Sequence, residues 1–376
     1  MKKAILITLL MCGSGPRAAG PESVGVADRV LWPRAVSSPA AFDRASRAEM
    51  LVFAALLSDT AKQEPAQLQA AFRIKQVNQA SVERVTKDLA NRIMTNWALA
   101  STSCGKSKSE PFCPAVHDFR ELAAAGMAME GSLPPEYRRW HVNAKQFHQK
   151  YVNEQLRLAA LFPAVTSEID VFSTVERSGV ELPDRHFLLT FDDGPTDKGG
   201  TTDKLLGILN QNDLHASFYM LGERLEARLK QSDAVSLAAG FRGQCVAMHG
   251  WKHESHAKID NWQQSVLSTR DLLQATFPQQ YVPWFRPPYG QRKPDSGEFF
   301  QKNGLGVALW NIDSQDWNSH VSGMDAAQRV YTLLLLWRHG VVLFHDVHDK
   351  ALTAVPWLIE HGKGVGLTWQ DCSTYR

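Results

Sequence analysis

Two adjacent carboxylates, Asp192 and Asp193, end the apolar run Phe187 to Phe191 and stand just before a Gly-Pro turn. An apolar stretch bounded by turn residues reads as a short buried strand. The pair therefore sits at a strand's C-terminal edge, where α/β sheets and barrels build their sites. Two like charges side by side in a half-buried place are costly unless a cation or an Arg compensates them. An isolated Asp-Asp-Gly-Pro would ordinarily be an acidic turn, so the case for chemistry depends on partners elsewhere in the chain. After the run Cys245 to Met248 come His249 and His253, four residues apart, a spacing that faces both imidazoles to one side if the segment turns helically just past the strand. Two imidazoles and one carboxylate form a three-ligand set that leaves positions open, the arrangement used by catalytic zinc. Arg286 and Tyr289 lie in Phe-Arg-Pro-Pro-Tyr-Gly, where two prolines stiffen the segment that presents them. Asp313 and Asp316 follow the strand Gly306 to Trp310, and His345 ends the strand Gly340 to Phe344. An amide hydrolase needs an activated water, a cation to polarise the carbonyl and an acid for the departing amine. The side chains at these strand ends can supply all three.

The elements that must position them fall in the second half of the chain. After Pro183, short apolar runs alternate with amphipathic ones: strands at Phe187 to Phe191, Ala216 to Met220, Cys245 to Met248, Gly306 to Trp310, Gly340 to Phe344 and Val365 to Thr368, with helices at Thr202 to Asn210, Gln263 to Thr276 and Met324 to Trp337. That alternation implies a parallel sheet or barrel, and the available length suits an incomplete, distorted (β/α) barrel better than a full eight-unit one. The first half reads differently. Apolar residues recur at helical spacing over Ala41 to Ser58, Pro65 to Leu99, Val116 to Met129 and Glu136 to Leu161. The expected organisation is a signal peptide over residues 1–20, a linker over 21–37, an all-helical N-terminal domain over 38–170 and an α/β catalytic domain over 171–376.

The 376 residues carry 41 basic and 39 acidic side chains, a balance that gives no nucleic-acid footprint. Lys2 and Lys3 precede the apolar run Ala4 to Met11, which is too short to span a bilayer and reads as a secretory signal. Export to the periplasm or the medium follows. Cys12 is a poor lipid-attachment site because Met11 stands where a small residue is expected. No later stretch reads as a transmembrane helix, and Leu333 to Leu336 suits buried core. Cys104, Cys113, Cys245 and Cys372 then remain, an even number that suits an oxidising compartment. Cys104 with Cys113 is the expected disulfide; the second pair stays open between a disulfide and buried thiols.

The order of these clusters resembles the polysaccharide deacetylases of carbohydrate esterase family 4, named after the nodulation-factor chitooligosaccharide deacetylase. The likeness covers roughly Pro183 to Trp369 and rests on Thr-Phe-Asp-Asp-Gly-Pro and Arg-Pro-Pro-Tyr-Gly. It implies that Asp193, His249 and His253 bind a divalent metal, commonly zinc, and that Asp192 is the general base with Arg286 against it. It further implies that His345 is the acid, with Asp316 raising its pKa, and that the Tyr289 backbone N–H holds the oxyanion. Trp317 and Leu343 would wall the acetyl pocket, and Asp313 would add substrate contacts. Gly250 stands where the family has Ser or Thr, and Glu254 where it has Pro, which predicts weakened support of the metal loop, with His256 as a substitute ligand. The expected activity is metal-dependent removal of N-acetyl groups from a polysaccharide, peptidoglycan first, then chitin oligomers or poly-N-acetylglucosamine. The competing readings are a carbohydrate-binding or scaffold protein that kept the fold, and a cyclic-amide hydrolase. The helical half offers no chemistry and is read as a lid or a partner-docking module.

Overall fold

A computed structural model describes residues 23–105 and 111–375. The proposed signal segment and Cys12 lie outside the described residues. Helices open the chain. Ser38 caps α1 (Pro39–Ala61) by accepting from the Ala41 amide, with Pro39 preset for the first turn. The stretch expected as one helix from Pro65 to Leu99 is two. A box between Glu64 and Gln67 starts α2 (Pro65–Phe72), which stops at Arg73, in the left-handed region at φ 52°. Asn78 then caps α3 (Gln79–Ser101). The helices α4 (Phe119–Ser132) and α5 (Arg138–Leu161) follow.

The remainder alternates strand and helix. The strands are β1 (Glu176–Arg177), β2 (His186–Asp192), β3 (Ser217–Met220), β4 (Cys245–Met248), β5 (Tyr281–Phe285), β6 (Gly306–Ala308), β7 (Ile312–Asp313), β8 (Gly340–His345) and β9 (Thr368–Trp369). Between them run α6 (Thr201–Gln211), α7 (Gly222–Leu229), α8 (Ala234–Gly240), α9 (Trp262–Thr276), α10 (Gly297–Lys302), α11 (Gly323–Trp337) and α12 (Lys350–Gly362). Every ladder is parallel, in the order β1-β6-β5-β4-β3-β2-β8-β7, and β9 also pairs β2. The outer strands β1 and β7 do not meet, so the barrel is curled and open. β2 is an interior strand, paired with β3 and β8, and is buried from Phe187 to Asp192, as helix-covered parallel strands are. The register sets Asp192 opposite Tyr219 of β3 and opposite His345 of β8.

The five leading helices pack on this sheet through α11. Leu333 to Leu336 are fully buried and belong to one core with Phe42, Phe53, Ile93 and Trp140. Ser46 of α1 bonds the Leu335 carbonyl at 2.6 Å, Asn96 of α3 the Trp337 carbonyl at 2.9 Å, and the Trp337 indole donates to Tyr151 of α5 at 2.7 Å. Buried Arg338 reaches Asp43 of α1 at 2.8 Å and Asp184 before β2 at 2.7 Å. Of the stretch expected as a linker, residues 23–37 are described, and Val24, Ala27 and Trp32 among them are buried. Trp32 sits among the rings of Phe112, Tyr137 and Trp140, and Arg29 pairs with buried Glu49 at 2.5 Å. Both half-cystines expected near residue 104 are joined, Cys104 to Cys113, and Cys245 at the head of β4 is bridged to Cys372.

Candidate active site

The C-terminal ends of β2, β4, β5 and β8 bring the sequence-selected residues to one cavity of about 200 Å³. Its wall includes Asp192, Asp193, His249, His253, Tyr289, Asp313, Trp317, Leu343 and His345. Arg286 and Asp316 lie directly behind it, both fully buried. Parallel hydrogen bonding sets the spacing. The Asp193 amide donates to the Tyr219 carbonyl, His249 to that of Met220, and Arg286 to that of Met248, so each functional residue begins where the neighbouring ladder stops.

Asp192 and Asp193 point to different partners. The Arg286 guanidinium donates to Asp192 Oδ1 at 2.9 Å and to Thr190 Oγ1 at 2.7 Å, and also reaches the carbonyls of Ala308 and Leu309. It stacks 4.0 Å from the Tyr219 ring. A buried Arg held at this many points cannot swing away from the carboxylate it neutralises. Asp193 takes φ 77°, a backbone conformation that turns its side chain away from its neighbour's. Its Oδ1 stands 3.2 Å from His249 Nε2 and 3.4 Å from His253 Nε2. Burial opposes charge on Asp193, yet the nearby imidazoles of His249, His345 and His253 hold its carboxyl below the usual range. Burial pushes His253 down to about 4, which leaves its imidazole neutral at pH 7.

These three side chains form the candidate metal cluster among the described residues, with ligand atoms within 4.8 Å of one another. Asp193 Oδ1 and His249 Nε2 are buried without a hydrogen-bond partner, a cost that a divalent cation would remove. His249 Nδ1 is bonded to the Arg286 carbonyl at 2.7 Å, which fixes the ring with Nε2 toward Asp193. The donor set and its support fit a divalent metal with open positions. The altered loop is supported differently from the expectation. Gly250 has φ 88°, and a Cβ there would lie 2.5 Å from His256 Cε1. The His256 ring fills that space, with Nδ1 against the Glu254 carbonyl at 2.9 Å and Nε2 against Ser265 Oγ at 3.1 Å. Both ring nitrogens are committed, so His256 props the loop and does not replace a ligand.

Across the cavity, His345 Nδ1 meets Asp316 Oδ1 at 2.7 Å, and the His345 amide donates to Asp316 Oδ2 at 2.9 Å. Burial would lower this imidazole, but the charge and hydrogen bond of Asp316 prevail and push it up to about 10. Asp313 is committed differently: its carboxylate accepts from the Gln315 amide at 2.7 Å and side chain at 2.9 Å. Tyr289 has φ 60° in the turn after β5 and lays its ring 4.4 Å from that of His253.

Four further wall residues escaped the sequence reading: Glu154 and Leu158 of α5, Glu168 in the segment before β1, and Trp310. Gln315, inside a stretch that had been singled out for its aspartates, also lines the cavity. Glu154 is tied to Arg329 of α11 at 2.7 Å and to Gln315 at 3.2 Å, which brings helix α5 to the cavity's rim. The apolar residues at helical spacing over Glu136 to Leu161 carried no signal of this.

The polysaccharide deacetylase family model matches residues 179–308. The chain is 30% identical over 191 residues to a peptidoglycan-N-acetylglucosamine deacetylase of Bacillus cereus, an alignment covering 48% of this chain and 67% of that protein. The chain belongs to the polysaccharide deacetylase family. A chitooligosaccharide deacetylase of Rhizobium leguminosarum bv. trifolii is 30% identical over 166 residues, 43% of this chain and 72% of that one. Among solved structures, a family 4 carbohydrate esterase from Streptomyces lividans in complex with acetate is 28% identical, with a TM-score of 0.41 over 49% of this chain and 91% of that one. The chain spans less than half the length of some other curated relatives of this deacetylase family, at 45% and 38%. The helices α1 to α5 precede the residues matched by the family model.

Proposed function

We propose that this protein hydrolyses the N-acetyl groups of N-acetylglucosamine-type residues in a polysaccharide, peptidoglycan before chitin oligomers or poly-N-acetylglucosamine, with Asp193, His249 and His253 holding a divalent metal, zinc by preference. The observation that carries this reading is the convergence of that unsatisfied Asp/His/His cluster, the Arg-braced Asp192 and the Asp-braced His345 on one cavity. The names of the relatives from Bacillus support the choice of polymer. A cell-wall substrate in turn fits an exported protein, as do two disulfides. No helix among the described residues is long and apolar enough to cross a membrane.

When bound, the metal would supply Lewis acidity, polarising the amide carbonyl and acidifying a water. Asp192 takes the proton of the attacking water as general base; Arg286 balances its charge and fixes its direction. The Tyr289 backbone N–H stabilises the negative charge that develops on the carbonyl oxygen. His345, kept protonated at neutral pH by Asp316, gives its proton to the departing nitrogen as the C–N bond breaks. Trp317 and Leu343 supply apolar walls for the acetyl methyl. Acetate and a free amine leave, and the proton taken by Asp192 balances the one given by His345. A scaffold that only binds sugar has no need of the paired base and acid.

The direct test is acetate release from peptidoglycan, chitin oligomers and poly-N-acetylglucosamine, with and without a chelator and after adding back zinc. Release that stops with chelator and returns with metal is the expected result. No metal-dependent release from any of the three would end the reading.

A further inference from the structure

A second cavity, of about 220 Å³, adjoins the first and shares Glu168, Trp310 and Asp313 with it. Its far wall belongs to the leading helices, through Arg92 of α3 and Gln155 of α5. Two of its groups lack the partners such groups normally have. The half-buried Arg92 stacks on the Trp337 ring at 4.2 Å but has no hydrogen-bonded or ion-paired carboxylate among the described residues. The Trp310 indole N–H is buried without an acceptor, in a side chain only 7% exposed. An unpaired guanidinium half removed from water and an orphan N–H at the same wall call for an acceptor-rich, negatively charged ligand.

The carboxylates nearby do not fill that need. Asp88 faces Arg84 at 3.6 Å, Glu181 accepts from the Gly179 amide at 3.1 Å and the Tyr375 hydroxyl at 2.6 Å, and Asp313 is bonded by Gln315. Burial pushes Glu168 up to about 8, so it presents an O–H rather than a competing charge. Aromatic and aliphatic faces, from Trp310 and Val180, complete a surface suited to a sugar ring with polar edges. Because the two cavities share one wall, a glycan with one residue at the metal cluster has its neighbour within reach of the second.

We propose that this cavity takes the sugar next to the one being deacetylated, and that Arg92 recognises a carboxylate carried by that neighbour, as on the lactyl ether of a muramic acid residue. This rests on the deacetylase reading and sharpens its substrate: a glycan that alternates neutral N-acetylated sugars with acidic ones. It also assigns the leading helices a part of the substrate groove.

The test is equilibrium binding to the full chain carrying Asp192→Asn, so that turnover does not intervene. The probes are an N-acetylglucosaminyl–N-acetylmuramic acid disaccharide, the same disaccharide with its lactyl group amidated, and the disaccharide bearing a peptide stem. A bidentate charged contact should favour the acidic disaccharide over the amidated one by about tenfold or more. Arg92→Gln should erase that preference and Arg92→Lys should keep part of it. The stem-bearing probe, whose lactyl carboxyl is tied up in an amide, should bind no tighter than the amidated disaccharide; binding as tight as that of the acidic one would overturn the assignment. The preference should also shrink as salt rises from about 0.01 to about 1 M. Equal binding of the acidic and amidated disaccharides, a preference that survives Arg92→Gln, or one indifferent to salt would overturn it. The amidated ligand reports whether the variants still fold and bind. Acetate release plays no part in these readouts, so failure here leaves the deacetylase reading standing, and failure there is recognised separately.

Discussion

Replacing Asp316 by Asn isolates one charge at the back of the site. Asp316 accepts from the His345 ring at 2.7 Å and from the His345 amide at 2.9 Å, and it is fully buried. Asn keeps the size and one carbonyl acceptor, so the backbone contact and the loop survive; what disappears is the negative charge. An opposite charge at contact distance raises an imidazole by about one to three pH units, which corresponds to about 1.4 to 4 kcal/mol in favour of the protonated form. Without it, burial is left to act in the opposite direction. The group has a raised pKa in the folded protein, about 10, so its protonated form is fully present below its unfolded value and is lost as pH rises through the folded one. Activity that depends on that proton should therefore hold across neutral pH and fall on the alkaline side. In D316N the alkaline limb should move down by about one to three units, and kcat at pH 8 should fall by up to about tenfold, the loss of protonated His345 at that pH. KM should change little. Acetate release from a chitin oligomer between pH 5 and 10.5 in the zinc-loaded protein measures both. A D316N profile with the wild-type alkaline limb would show that Asp316 does not set the charge of His345.

Asp192→Asn should lower acetate release by about 10²- to 10⁴-fold while leaving oligosaccharide binding in place, measured by turnover and calorimetry. Restoring the family's residue with Gly250→Ser should lower stability by about 1 to 3 kcal/mol, since it adds a Cβ at φ 88° against the His256 ring; an unchanged urea midpoint would contradict that account. Arg338→Met removes one of the two guanidinium partners of Asp43, leaving Arg185 at 2.5 Å, and should cost about 1 to 3 kcal/mol by the same denaturant assay. His253→Ala should remove tight metal binding, read by metal analysis after dialysis, with little change in the far-ultraviolet circular dichroism.

The strand ends were legible because their signals are local. Asp192 and His345 each close an apolar run, and that pattern alone places them at the edge of a buried parallel strand. What no linear pattern carries is register. That Asp192 lies opposite His345 follows from which strands became neighbours, far apart in the chain, and only the sheet reveals it. Short elements were also lost to sequence: β5, Tyr-Val-Pro-Trp-Phe, is interrupted by Pro283 and mostly half-buried, and β7 has two residues, too few for any period. His256 shows the complementary failure. An imidazole three positions past a proposed ligand looks like a reserve ligand, whereas the left-handed backbone at Gly250 had made room for its ring. Glu154 and Glu168 were invisible for another reason, since they reach the cavity from elements that precede the strands forming the rest of it.

The burial of α11 between the sheet and the leading helices bears on how the molecule comes apart. Its leucines face α1 and α3 as well as the strands, and Arg338 at its end is anchored on both sides by carboxylates. A fragment beginning near residue 171 would present that apolar surface to water and leave Arg338 with one partner fewer. The two halves should therefore melt in a single cooperative transition rather than in succession. Proteolytic trimming to the region with chemistry would be expected to yield an aggregating species, not a smaller enzyme.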